Sequence, residues 1–210
     1  DNITGVGGIA RGRVSEIYGK EAAGKTSLCL CLVAEAQKLG IKSAYIDTEL
    51  AIDKSLAVMM GVNTETLVLA RPITGEETFE LIESLSNGGC GLIVVDSVAS
   101  MVPATELEND YNQETMALQA RMMSKGLRKI MVTILKNDTA LVFVNQIRST
   151  VSRMPNAPQT ITPGGIALKF YATHRINIVR TGWIGTKDSA EGMTIKITID
   201  NMKLIVTFTT

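Results

Sequence analysis

Eight residues near the start of the sequence, Gly19, Lys20, Glu21, Ala22, Ala23, Gly24, Lys25 and Thr26, follow the pattern GxxxxGK[ST]. The chemistry this spacing can do is to grip a polyphosphate. Glycines let the backbone turn tightly and aim its N–H groups at phosphate oxygens. A helix that follows presents its positive N-terminal end to the same anion. Lys25 would neutralise the β- and γ-phosphates, the Thr26 hydroxyl would hold Mg²⁺, and Ser27 closes the phosphate-binding set at the helix start. Average residue frequencies give this pattern by chance in about 1% of chains of this length. It also needs a strand before it and a helix after it, and the sequence offers both.

A metal-bound phosphate calls for a carboxylate beside the metal, at the end of an apolar strand. Asp96 follows Leu92-Ile93-Val94-Val95 and meets that need; its ordinary alternative is a helix N-cap. Hydrolysis calls for a base near the terminal phosphate. Glu49 follows a short strand ending at Asp47, and strand ends in such sheets face the ligand crevice, so Glu49 is the candidate for polarising water. His174 opens a strand without ligand-spaced partners and reads as a packed or hydrogen-bonded structural residue. Cys29 and Cys31 fall on different sides of one helix and form no metal clamp, and with Cys90 they make an odd count that fits a reducing compartment.

The elements that must position these groups alternate strand and helix. Strand patterns occur at 14–18, 43–46, 67–70, 92–95 and 140–144, the last ending at Asn145-Gln146. Helix patterns cover 25–39 and 53–60, each stopped by a glycine. A further helix opens at Thr74, with Glu77 in the capping-box position. A long amphipathic helix carries Met116, Ala120, Met123, Leu127, Ile130 and Ile134 on one stripe. Strands that are apolar on both faces, separated by helices, predict a mostly parallel sheet covered on both sides. The last quarter instead alternates, at Ile176/Ile178 and at Ile195/Ile197/Ile199. It predicts antiparallel strands around a turn containing Gly182, Gly185 and Gly192.

Length and composition set the frame. The 210 residues suit one domain, residues 1–210, with a full core, and 45% apolar content excludes disorder. No apolar run is long enough for a membrane span, and no signal peptide is visible. The formal net charge is zero, yet nine basic residues and one acid, Asp138, lie between Arg121 and Arg175. Such a run is either a solvated face or an anion-binding surface.

Several stretches together resemble the bacterial and phage RecA recombinases. They are Ile17 to Thr26; Ala44-Tyr45-Ile46-Asp47-Thr48-Glu49; Ile93-Val94-Val95-Asp96-Ser97-Val98-Ala99; Ala120-Arg121-Met122-Met123-Ser124; Phe143-Val144-Asn145-Gln146-Ile147-Arg148; and Gly164-Gly165-Ile166-Ala167-Leu168-Lys169-Phe170-Tyr171-Ala172. The similarity runs nearly the whole chain in one order. It implies a RecA-like ATPase core with an antiparallel extension near the C-terminus, and ATP and Mg²⁺ as cofactors. It implies DNA-dependent ATP hydrolysis, with Glu49 as the catalytic glutamate and Gln146 as the glutamine that senses the γ-phosphate, alongside Lys25. Asp53 matches a nucleotide contact, while Leu56 replaces an aromatic that often stacks on adenine. DNA-backbone contacts would come from Arg121, Ser124, Arg128, Arg148, Gly164 and Gly165, and the DNA-binding loops would span 106–115 and 147–163.

The resemblance further implies single- and double-stranded DNA as partners and a homo-oligomeric helical filament with ATP at subunit interfaces. Strand pairing and exchange, DNA repair, the SOS response and a cytoplasmic location go with it. Of two lysines that reach a neighbour's ATP in the family, only Lys203 is clear, in Asn201-Met202-Lys203. The second loop lacks an aromatic tip, leaving Val151 and Met154 as apolar substitutes. On this reading the family's N-terminal helix and C-terminal domain fall outside the 210 residues. Competing readings are an isolated ATP-binding core without strand exchange and a ring-forming RecA-fold motor.

Overall fold

A computed structural model of the chain describes residue 4 and residues 7–108, 115–149, 160–186 and 189–202. In chain order the elements are β1 (Val14–Gly19), α1 (Lys25–Lys38), β2 (Ser43–Asp47), α2 (Lys54–Met59), β3 (Val68–Ala70), α3 (Gly75–Asn87), β4 (Leu92–Asp96), a 3₁₀ turn (Val98–Ser100), α4 (Ala104–Glu108), α5 (Thr115–Lys136), β5 (Ala140–Gln146), β6 (Arg148–Ser149), β7 (Thr160–Ile161), α6 (Ala167–Tyr171), β8 (Ala172–Thr186) and β9 (Ser189–Met202).

Seven strands form one sheet in the order β3-β2-β4-β5-β1-β8-β9, and β6 and β7 make a separate antiparallel pair. Every pairing in the large sheet is parallel except β8 with β9. The fold is therefore α/β, with a mostly parallel sheet and an antiparallel extension, as the sequence predicts. Two apolar clusters cover its faces. Phe79, Ile82, Met123, Leu127, Ile130, Ile134 and Phe143 join α3 and α5 to one face. Leu30, Val33, Tyr45, Val94, Val144 and Ile178 join α1 to the other. Burial on both faces is why β4 and β5 read as unbroken apolar runs.

Local signals set the helix ends. Thr74 and Glu77 form the expected capping box of α3. Asp53 lies just outside α2 as its N-cap and accepts from Ser55 N at 2.7 Å. The stripe residues Met123, Leu127, Ile130 and Ile134 are all buried.

One expectation changes, that for the glycine-rich turn. All six residues of β1 are buried, Glu16 included. Buried Glu16 is satisfied by Arg175 Nε at 2.6 Å and Asn145 Nδ2 at 2.9 Å. Gly182, Gly185 and Gly192 do not form the turn. They lie within β8 and β9, two of them at register shifts, because a long twisted hairpin takes up irregularity inside its strands. His174 is fully buried, as a packed structural residue, and among the described residues its ring nitrogens and the Ser15 hydroxyl across from it have no hydrogen-bond partner.

Candidate functional site

The site is built at the C-terminal ends of β1, β2, β4 and β5, where parallel strands open a crevice. β1 ends at Gly19, so close to β8 that a Cβ there would meet the Ile178 carbonyl oxygen at 2.3 Å. The chain then turns through Ala22, at φ 53°, and Gly24, at φ 91°, to start α1. No side chain caps α1, so its first N–H groups face the crevice without a side-chain acceptor.

Lys25 is buried under this loop, its Nζ donating to Lys20 O at 2.8 Å and Gly19 O at 3.2 Å. Burial lowers its pKa, and the charges of Asp96 and Glu49 oppose the shift. Thr26 Oγ1 donates to Asp96 Oδ2 at 2.7 Å. The same oxygen accepts the Tyr45 hydroxyl at 2.7 Å. Burial raises the Asp96 pKa, while the hydrogen bonds from Tyr45 and Thr26 and the charge of Lys25 act against it. Burial, followed by the charges of Cys29 and Asp96, pushes the Tyr45 phenol far above its ordinary range, so it stays a donor.

Asp47, beside Asp96 across β2 and β4, has a different task. It accepts from Ala51 N, Ile52 N and Arg71 Nε at 3.1 to 3.3 Å and folds the turn that carries Glu49. Glu49 Oε1 receives the Ser97 hydroxyl, and also Gln146 Nε2 at 3.0 Å. Gln146 ends β5, and Ile147 N then bonds back to Gly19 O at 3.2 Å. Residues 21–27, Glu49, Asp96 and Gln146 thus line one cleft of about 260 Å³.

A magnesium-bound polyphosphate fits this donor set. An uncapped helix start and a buried lysine face the cleft, and the hydroxyl–carboxylate pair of Thr26 and Asp96 stands beside them. Among the described residues no three His, Cys, Asp or Glu side chains cluster to hold a metal by themselves. A cation would therefore be shared between that pair and the ligand's own oxygens.

The DNA candidates group around α5. Arg121, Ser124 and Arg128 are exposed on it. Gly165 packs on it, a Cβ there falling 2.8 Å from the Ala120 Cβ. Gly164 is buried, and its N–H donates to Gln119 Oε1 at 3.2 Å. Gln119 Nε2 in turn reaches Val98 O at 2.9 Å and Met101 O at 3.1 Å, tying this point to the segment just after Asp96. The segments expected as bare loops carry some structure: α4 reaches Glu108, and β6 pairs with β7 to pin both ends of 147–163. The Arg148 side chain, Lys203, Val151 and Met154 lie outside the described residues. Asp53 caps α2 and is not among the residues lining the cleft.

Sequence reasoning missed Tyr45 as a polar partner of Asp96, Ser97 on Glu49, Gln119, and the β8–β9 contribution. Arg180 Nη1 donates to Ala22 O at 3.2 Å, its guanidinium sits 4.4 Å over the Trp183 ring, and Met193 closes the same wall. Only the aromatic and basic residues inside a predicted hairpin signalled that wall, and nothing in their spacing pointed it toward the phosphate loop.

Fold and cleft together define a P-loop α/β protein. Residues 1–210 match the RecA N-terminal domain, and the chain belongs to the RecA family. It is 46% identical over 213 residues to the mitochondrial DNA repair protein recA homolog 3 of Arabidopsis thaliana, covering all of this chain and 50% of that protein. It is 45% identical to Protein RecA of Delftia acidovorans, covering all of this chain and 57% of the relative. Against Protein RecA of Thermus aquaticus it is 42% identical, covering 99% of this chain and 62% of the relative. The chain thus spans between half and two thirds of the length of these relatives. Among the described residues no helix is long and apolar enough to cross a membrane.

Proposed function

We propose that the protein is a DNA-dependent ATPase of the recombinase kind, in which residues 1–210 act as one ATPase core. It assembles as a helical filament on single-stranded DNA, in the cytoplasm, and pairs and exchanges strands with duplex DNA. The observation that carries this reading is the bond from Gln146 Nε2 to Glu49 Oε1, at the point where the strand bearing Gln146 leaves for segment 147–163.

The residues then take the following roles. The turn from Gly19 to Gly24 and the N–H groups at Lys25, Thr26 and Ser27 bind the phosphates of ATP. Lys25 leaves its two carbonyl acceptors for phosphate oxygens, and Thr26 and Asp96 would hold Mg²⁺, which would supply charge neutralisation. Glu49, with Oε1 held by Ser97 and Gln146, holds the attacking water and takes its proton. Gln146 senses the terminal phosphate and passes its presence to segment 147–163. Lys203 reaches the ATP of an adjacent subunit in the filament.

Arg121, Ser124, Arg128 and Arg148, with the backbone at Gly164 and Gly165, grip DNA phosphates without reading sequence. That indifference suits a protein whose specificity comes from base pairing between the strands it holds.

The test is ATP hydrolysis with and without single-stranded DNA, at low and moderate salt. Strong stimulation by DNA that fades as salt rises is expected, since phosphate contacts release counterions. Hydrolysis indifferent to DNA would overturn the recombinase reading and leave an ATP-binding core.

A further inference from the structure

Tyr45 has no role in the scheme above, yet it is among the largest fully buried side chains. It lies on β2 opposite Val94 of β4, and both belong to the apolar layer under α1. Every neighbour in that layer is satisfied by packing alone, so a phenylalanine would fill the space as well. The hydroxyl needs an acceptor at this depth, because a buried donor left unpaired loses its bonds to water with nothing in return. Its acceptor is Asp96 Oδ2, two residues further along β4, at 2.7 Å.

The consequence concerns how the carboxylate is held. Asp96 is a short side chain whose two oxygens exchange places by a rotation about one bond. Thr26 cannot prevent that rotation by itself, because its hydroxyl must also turn a lone pair toward a cation. Tyr45 has no such second duty. It stands on a rigid strand and donates to the same oxygen that Thr26 uses. With both donors on Oδ2, no hydrogen bond reaches Oδ1 among the described residues, and the Thr26 proton has one fixed destination.

We infer that Tyr45 is a positioning residue of the metal site: it pins Asp96 Oδ2, which fixes the Thr26 hydroxyl and leaves Asp96 Oδ1 free for the hydration shell of a nucleotide-bound divalent cation. The inference rests on the proposed nucleotide site. It gives that site a second layer of support from the sheet interior, of the kind that commonly orients metal-binding side chains.

The experiment is nucleotide binding by the protein, followed through a fluorescent ATP analogue, with Mg²⁺ varied from a chelated zero to saturation. Tyr45→Phe removes one oxygen and keeps the ring. The Mg²⁺ concentration for half-maximal binding should rise about tenfold, the effect of losing a charge-assisted hydrogen bond. Affinity for the nucleotide in chelator should be unchanged. Direct Mn²⁺ titration in the presence of nucleotide, read by electron paramagnetic resonance, should show the same loss without any turnover.

In an Asp96→Asn background the Tyr45→Phe effect should vanish, because the two act as one unit. Tyr45→Met carries a different packing cost and the same missing hydroxyl; it should reproduce the Mg²⁺ shift even where Tyr45→Phe folds poorly. Folded variants with the wild-type Mg²⁺ dependence would overturn the role of Tyr45 and leave the site reading intact. A wild-type protein that binds no nucleotide at any Mg²⁺ concentration would overturn the site reading and, with it, this inference.

Discussion

At the scale of the residue, Glu49 gives the sharpest expectation. Two donors, Ser97 and Gln146, hold its Oε1, so its charge is oriented before any ligand arrives. Glu49→Gln keeps the shape and removes the base. The variant should bind ATP like the wild type and hydrolyse at least about a hundredfold more slowly, which single-turnover phosphate release would measure. Equal turnover in the variant would remove Glu49 from the mechanism. Motif spacing and strand ends mark Lys25, Thr26, Asp96 and Glu49, and the family resemblance marks Gln146; the structure brings all five to one cleft. The sequence concealed the groups that hold them. Tyr45 and Ser97 sit in apolar or unremarkable contexts, and only the register of β2 on β4 brings them to Asp96 and Glu49. Register between parallel strands depends on crossover lengths and sheet twist, and no local pattern encodes it.

At the scale of the element, strands buried on both faces, helices with clear caps and the antiparallel strand pair were legible, while the place of its turn was not. β8 and β9 show why. Their glycines look like turn residues in isolation, but the sheet lets them stand inside strands where the register slips. The packing of α3 on α5 offers a direct check. A Cβ at Gly126 would lie 2.2 Å from the Phe79 ring, a rigid group that is itself buried. Alanine there gains about 1 kcal/mol in helix propensity, and overpacking against a fixed ring costs roughly 1–3 kcal/mol. Gly126→Ala should therefore lower stability by up to about 2 kcal/mol, seen as an earlier midpoint in urea. At Gly75 the nearest atoms belong to the flexible end of Met122, at 2.1 Å, so Gly75→Ala should cost less. The reverse order would mean that α3, and not Phe79, yields.

At the scale of the whole molecule, charge is divided rather than abundant. Formal neutrality coexists with a basic stretch from Arg121 to Arg175, and three of its expected contacts, Arg121, Ser124 and Arg128, are exposed on one helix. The structure ties that helix to the cleft end of the sheet through Gln119, which holds Gly164 on one side and the backbone after Asp96 on the other. The β8–β9 hairpin brings something else to the same end. Trp183 is the sole tryptophan of the sequence, about half exposed, with a guanidinium stacked on its ring, and it lines the cleft beside the phosphate loop. The protein therefore carries its own optical probe: all of its tryptophan emission originates at one wall of one cleft, and entry of a nucleotide should shift or quench that emission without any label. A signal that ignores ATP while a labelled nucleotide binds would place the ligand away from the hairpin, and stopped-flow emission could otherwise time the filling of the cleft directly in unmodified protein.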